Sequence, residues 1–339
     1  MRSRHHGAAR RGPRGGRRHR HAGQLRRRDA EGRGHPHRRP RLRRGLGQRH
    51  ARARADHRGR GRGRDQRRRA DALRARDGSR ARLVVTPLTA DAIARRLTTV
   101  RYGRSLDVRA ETGSTNDDAR EAAGAGAADG HVVVADRQSR GRGARGRVWA
   151  SPGGTDLYFS IVARLPLTPA QLPPLTLAVG LGVARAAEAT LPDRSVTVKW
   201  PNDVLIEGKK HAGILVESVS LGSRIDSAII GVGVDVNRAD FGELGPIATS
   251  WRAETGQTFD RAQALATLLS SIEAEVDRFV RLGPRPVASA VEDRLAFRGR
   301  RVRCDALEGE LLGLREDGAL RLRTSGGERA VTSGSLRLA

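Results

Sequence analysis

Cysteine, lysine and aromatic residues are all scarce in this 339-residue chain. Cys304 is the sole cysteine, and Trp, Tyr and Phe number three, two and five. One cysteine excludes a disulfide framework and any Cys-based zinc site. No uninterrupted apolar stretch approaches the ~18 residues that a membrane-spanning helix needs. The start Met-Arg-Ser-Arg-His-His lacks the apolar region of a secretory leader, so a reducing, cytoplasmic setting is expected. Lysine is the sharpest shortage. Of 65 basic residues only Lys199, Lys209 and Lys210 are lysines.

Charge is abundant but unevenly placed. Residues 1–82 hold 31 Arg and 6 acids, and the remaining 34 basic and 31 acidic residues follow. The formal charge of +28 and the pI of 11.7 therefore describe a tail, not a polybasic protein. That tail has no Ile, Val, Phe, Trp or Tyr. It cannot bury enough apolar surface to offset chain entropy, so residues 1–83 are expected to be disordered. Two readings of it stay open. A natural Arg-rich tail would attract nucleic acid by neutralising phosphates. Alternatively it is text translated upstream of the true start, with Val84 or Val85 as the first residue of the natural chain. It holds no helix pair of helix-turn-helix length, so no specific DNA binding is expected.

Ordinary globular sequence begins at Val84. Apolar spacing predicts helices over 89–97, 114–123, 172–191, 260–282 and 287–297. Strands are predicted at 106–110, 131–136, 156–165, 196–200, 203–206, 211–219 and 225–236. Several strands follow one another directly, which argues for an α+β fold with a mainly antiparallel sheet. Five short strands with Gly turns, at 301–304, 308–315, 319–324, 328–332 and 335–338, suggest a small C-terminal barrel.

Three signals carry chemistry. First, all three lysines lie within twelve residues. Lys is a compact point charge that can approach one phosphate or carboxylate oxygen, whereas Arg is a planar fork; Lys210, beside an apolar strand, is the functional choice. Second, Gly141-Arg142-Gly143-Ala144-Arg145-Gly146-Arg147 matches G-x-G-x-x-G. No helix is predicted after it, which excludes a dinucleotide-binding turn. It reads as a loop able to close over an anionic, adenylated ligand, with Trp149 near enough to stack on a base. Third, Lys199-Trp200-Pro201-Asn202-Asp203 ends a strand in a turn that directs side chains into a site.

In order along the chain, Gly-Ser-Thr-Asn at 113–116, Gln138, the loop with its Trp at 141–149, Lys-Trp-Pro-Asn-Asp at 199–203, Lys-His-Ala-Gly-Ile-Leu-Val-Glu at 210–217 and Gly-Val-Gly-Val-Asp-Val-Asn at 231–237 resemble the biotin–protein ligase (biotin–[acetyl-CoA-carboxylase] ligase) family. The resemblance spans about residues 90–339. It implies a catalytic domain over 84–297, similar to that of class II aminoacyl-tRNA synthetases, and a Src-homology-3-like barrel over 298–339. It implies a monofunctional ligase without a DNA-binding domain, joining biotin to a lysine of a biotin carboxyl carrier protein through biotinyl-5′-AMP. The substrates would be biotin and ATP with Mg²⁺, with no tightly bound cofactor and no membrane partner, and a homodimer stays open.

By motif, Ser114, Thr115, Asn116, Gln138, Gly141, Arg142, Gly143, Ala144 and Lys210 would bind biotin. Arg147, Trp149, Asn202, Asp203 and Asn237 would bind ATP or the adenylate. Lys210, Arg142 and Arg147 would be catalytic, and Asp203 would hold Mg²⁺. The loop departs from the family pattern at Ala144, where a second Arg is usual; Arg145 or Arg140 would have to replace that charge. Rivals are a lipoate or octanoate ligase or transferase of the same fold and, from another class, nucleic-acid binding by the tail.

Overall fold

The computed structural model describes residues 87–221 and 224–339. The expected disordered tail over 1–83 lies outside them.

The central sheet has seven strands: β1 (Leu106–Thr112), β2 (His131–Gln138), β3 (Leu157–Ala163), β4 (Val196–Lys199), β5 (Asp203–Ile206), β6 (Lys209–Leu221) and β7 (Arg224–Val234). Their order is β1-β2-β3-β7-β6-β5-β4. Only β1 and β2 run parallel; every other pair is antiparallel. The long apolar helix α3 (Leu172–Thr190) packs on one face with α5 (Arg261–Leu282) behind it. Helix α2 (Thr115–Gly124) covers β2, β3 and β7 on the other. Alternation along β7 serves both faces. Ile230, Val232 and Val234 enter the main core, while Ile229 joins Ala119, Ala123, Val133 and Val162 under α2.

The helices depart from expectation at their ends. The first, α1, is only Ala90–Ala94, capped by the Thr89 hydroxyl, which accepts from Ala92 N at 3.2 Å. A short α4 (Trp251–Thr255), capped by Ser250, was not expected. The last, α6, spans Pro284–Glu292 rather than 287–297. Gly283, at φ 77°, ends α5, and Pro284 then starts α6 with its fixed φ, at a position whose N–H would have no partner within the helix.

At the C-terminus β8 (Arg301–Cys304), β9 (Leu307–Leu314), β10 (Leu320–Thr324), β11 (Gly327–Val331) and β12 (Leu336–Leu338) form a second, wholly antiparallel sheet in the order β11-β10-β9-β8-β12. Its Leu311, Leu320, Leu322 and Leu336 belong to the same apolar cluster as α3 and the central sheet. Trp200 makes that joint. Its ring is buried, and its indole N–H donates to Gly318 O at 3.1 Å. Among the described residues no helix is long and apolar enough to cross a membrane.

Candidate active site

The α2 face of the sheet is left open beyond the N-terminus of α2, and a cavity of about 240 Å³ lies there. Its floor is β7. Gly231 and Gly233 fall on that face by alternation with Ile229, and neither has a side chain to fill the space. A Cβ at Gly231 would overlap the Asn116 carboxamide. One at Gly233 would come within 2.6 Å of the Trp149 indole. The glycines therefore let a carboxamide and an indole lie directly on the sheet.

One end of the cavity is polar. Ser114 occupies the N-cap position of α2, yet its hydroxyl makes no capping bond and lines the cavity instead. The Gln138 Oε1 accepts from Thr115 N at 2.9 Å and from Thr115 Oγ1 at 3.2 Å, and its Nε2 donates to Ser151 Oγ at 2.9 Å. Ser160 donates to Asn116 Oδ1 at 2.6 Å. Asn116 Nδ2 donates to Glu217 Oε2 at 2.7 Å. These buried amides and hydroxyls fix one another's orientation.

The other end is cationic and aromatic. Lys210 donates to Asp203 Oδ1 at 2.5 Å, and its ammonium sits 5.0 Å from the centre of the Trp149 ring. Lys199 takes the other oxygen of Asp203 at 3.1 Å. Burial pushes the Asp203 carboxyl up, but the two ammonium groups outweigh it and hold the group below its ordinary range. Lys210 reaches the cavity because β6 is irregular. Leu205 pairs with Lys210 and Val204 with Ala212, so His211 is an inserted residue facing none on β5. This bulge lets Lys210 and Gly213, three apart, face the same indole. The His211 ring is wholly buried with no hydrogen-bond partner among the described residues, and burial lowers its pKa to about 3.

The glycine-rich loop is a small hairpin. Gly143 N donates to Arg147 O at 2.7 Å and Trp149 N to Gly141 O at 2.9 Å. Arg142 is held outward by Asp117 and Glu217, at 2.8 and 3.1 Å. Arg147 is exposed and turns its Nε onto Ala144 O at 3.1 Å.

Of the residues expected at the site, the structure gathers Ser114, Thr115, Asn116 and Gln138 at one end, Trp149, Asn202 and Lys210 at the other, and Arg142, Gly143, Ala144 and Arg147 above. Gly141 is buried at the base of the loop, and Asp203 stands one hydrogen bond away, behind Lys210. Asn237 does not line the cavity. Its amide is spent on Phe259, donating to the carbonyl and accepting from the N–H, each at 2.9 Å. Trp200, in the turn between Lys199 and Asp203, packs on the C-terminal sheet. Neither Arg145 nor Arg140 replaces a guanidinium at position 144: Arg145 pairs with Asp305 and Arg140 lies against Gly113.

Residues 112–235 match the biotin/lipoate A/B protein ligase family. The biotin–[acetyl-CoA-carboxylase] ligase of Mycobacterium tuberculosis is 35% identical over 243 residues, which cover 69% of this chain and 88% of that protein. The chain belongs to the biotin–protein ligase family. The bifunctional ligase/repressor BirA of Bacillus spizizenii is 34% identical over 253 residues, 70% of this chain and 78% of that one. In three dimensions the chain is similar to the biotin protein ligase of Aquifex aeolicus, solved in complex with biotin and ATP, with a TM-score of 0.62 and 32% identity over 70% of this chain and 100% of that one.

In this biotin–protein ligase family member several cavity residues escaped the motif reading. Phe241, Leu244 and Ile247 add apolar lining to the cavity, with Leu244 and Ile247 exposed. Asp235, inside a quoted motif but assigned no role, is buried on the lining. Its Oδ1 lies 3.2 Å from the Arg238 guanidinium without a hydrogen bond. Burial and the neighbouring Asp156 push this carboxyl well above its ordinary range, against the pull of Arg238 and Lys210. Arg238 itself is anchored on Asp156, its Nε donating to Oδ2 at 2.9 Å. Such pairs join residues 82 apart, and only their charge, not their spacing, hints at them.

Proposed function

We propose that this protein joins biotin to a specific lysine of a biotin carboxyl carrier protein, forming biotinyl-5′-AMP from biotin and ATP on the way. One observation carries the reading: a small cavity holds a polar amide end, a lysine ammonium and an indole lying on glycine. A ureido ring fits the first, a mixed anhydride's phosphate the second and adenine the third. The curated relatives named biotin–[acetyl-CoA-carboxylase] ligase and the Aquifex complex with biotin and ATP support it.

The protein's part is positioning and charge stabilisation. Ser114, Thr115, Asn116 and Gln138 hold the biotin ring so that its carboxylate points towards Lys210. A carboxylate oxygen attacks the α-phosphorus of ATP, the bond to the bridging oxygen breaks, and pyrophosphate leaves. Lys210 exchanges Asp203 for the carboxylate and α-phosphate oxygens, where negative charge gathers. Arg142 and Arg147 turn in from their loop contacts towards the phosphates. The neutral ε-amine of the carrier lysine then attacks the acyl carbon, AMP departs and an amide remains.

Asp203, a hard oxygen donor behind Lys210 with both oxygens on lysine ammonium groups, is the residue that would share a magnesium ion once Lys210 turns to the phosphates. Among the described residues no group of three carboxylates, histidines or cysteines could hold a metal, which suits an ion that arrives on ATP phosphates. When bound, it would neutralise phosphate charge. Cys304 lies in the C-terminal sheet, buried, with its thiol pushed up by burial, and so cannot serve a thioester-forming transferase at this cavity. We further read the chain as acting in the cytoplasm, with 84–297 as the catalytic domain and 298–339 as the C-terminal one. The test is ATP-dependent transfer of labelled biotin to a carrier domain. Labelling that excess lipoate does not reduce supports the proposal; transfer of lipoate in place of biotin would overturn it.

A further inference from the structure

We propose that Arg145 and Asp305 form a strap that ties the loop over the cavity to the C-terminal sheet, so that retention of a bound intermediate depends on that sheet. The two residues lie 160 apart in sequence, yet their side chains meet as a parallel fork: Nη1 to Oδ1 at 2.7 Å and Nη2 to Oδ2 at 2.9 Å. This bidentate geometry is the one that gives guanidinium–carboxylate pairs their directionality.

Both ends are built to present these side chains. Arg145 is the tip of the hairpin and stands at φ 62°, in the left-handed region that residues with a Cβ rarely occupy. Asp305, in the turn between β8 and β9, stands at φ 50°. Its Oδ1 also accepts from Ser335 N at 3.1 Å, which fixes the carboxylate before the arginine arrives. At its base the same loop is held by Arg142 on Asp117 and Glu217. The loop is thus pinned to the central domain at one end and to the C-terminal sheet at the other, with the cavity between. Arg147, between the two anchors along the hairpin, hydrogen-bonds only within its own loop among the described residues and is the guanidinium able to turn inward.

The strap as such rests on geometry alone; only the identity of what it retains rests on the proposed function. Its test uses the full chain in three forms. Asp305→Asn keeps a residue that tolerates the left-handed backbone and can still accept from Ser335 N, but loses the charge. Arg145→Gln shortens the other arm. The exchange Arg145→Asp with Asp305→Arg reverses the pair at two positions already occupied by these residue types. Without ligand, amide hydrogen exchange at Gly143 and Arg147 should quicken about two- to fivefold in each single variant, as suits an exposed pair, and return towards wild type in the charge exchange. The dissociation rate of biotinyl-AMP, formed from biotin, ATP and Mg²⁺, should follow the same order. Single variants that exchange at the wild-type rate, or a reversed pair as fast as the singles, would overturn the strap. Faster exchange with an unchanged adenylate off-rate would overturn its role in retention. A wild type that exchanges as expected but forms no adenylate would instead refute the proposed function and leave the strap standing.

Discussion

Gly233→Ala should damage ATP use while sparing biotin binding and the fold. The new methyl group would meet the Cε2 and Nε1 atoms of Trp149 at 2.6 Å and Cζ2 at 2.9 Å. Non-bonded carbon atoms prefer about 3.5–4.0 Å, so the ring must rise from the sheet by roughly an ångström. The backbone at 233 is ordinary strand, paired with Tyr158 on one side and Gly213 on the other, so alanine brings no strain there. The indole would lose its flat seat and with it the base-stacking face. Stacking of a base on an aromatic side chain contributes about 1–3 kcal/mol, which corresponds to about a 5- to 150-fold rise in the KM for ATP. On the proposed reading biotin lies at the other end of the cavity, by Ser114, Thr115 and Gln138, so its binding measured calorimetrically without ATP should stay within about twofold. Steady-state kinetics with ATP varied at saturating biotin checks this. An unchanged KM for ATP, with biotin binding intact, would show that the adenine does not use the indole.

Lys210→Ala should slow biotin-dependent pyrophosphate exchange about 10- to 150-fold, the cost of one charge-assisted hydrogen bond; Lys199→Ala, which touches Asp203 but does not line the cavity, should slow it far less. The buried, neutral His211 makes stability pH-dependent. Its folded pKa of about 3 lies below the ordinary 6.5, so its contribution is complete above pH 6.5 and drains away as pH falls towards 3, because only the unfolded chain takes up the proton. Thermal melts across that window should show His211→Leu losing less Tm than wild type. A chain beginning at Val84 should keep full ligation activity and lose any salt-sensitive retention of RNA measured by filter binding; loss of activity on a carrier domain would assign the Arg-rich segment to the enzyme.

Much of the fold was legible because the strands are short, apolar and separated by turn residues, and because α3 and α5 repeat their apolar positions at helical spacing. The parallel pairing of β1 with β2 was not, since alternation reports which face a residue takes but not the direction of its neighbour. Ser114, Gln138, Trp149 and Lys210, expected from motifs beside a glycine or a capping position, all line the cavity. What the motifs did not show is where a side chain goes when its partner lies far along the chain. Trp200 and Asn237 sit in the quoted motifs, yet one packs on Gly318 and the other on Phe259. Arg145, weighed as a replacement for the charge missing at 144, finds its partner 160 residues away. Ion pairs of this kind leave no periodic trace, and a chain so rich in Arg offers too many equivalent donors for composition to choose among them.

The inserted His211 gives the site a parity. Along a regular strand Lys210 and Gly213 would point to opposite sides, so one odd residue decides whether the ammonium meets solvent-filled space or hydrocarbon. Deleting His211 would remove the bulge and leave Lys210 and Gly213 two apart, on one face of a regular strand, whereas one more residue between Ala212 and Gly213 would preserve every side chain in the motif and still invert their relation. After such an insertion either Lys210 would turn into the core, or Gly213 would withdraw from beneath the indole and the new residue take its place. Substitutions within this segment can be graded by size and charge, but the insertion of a residue cannot; it exchanges the two faces outright. The chemistry of the cavity is in that sense counted rather than composed, and a catalogue of its residue types would not reveal the dependence.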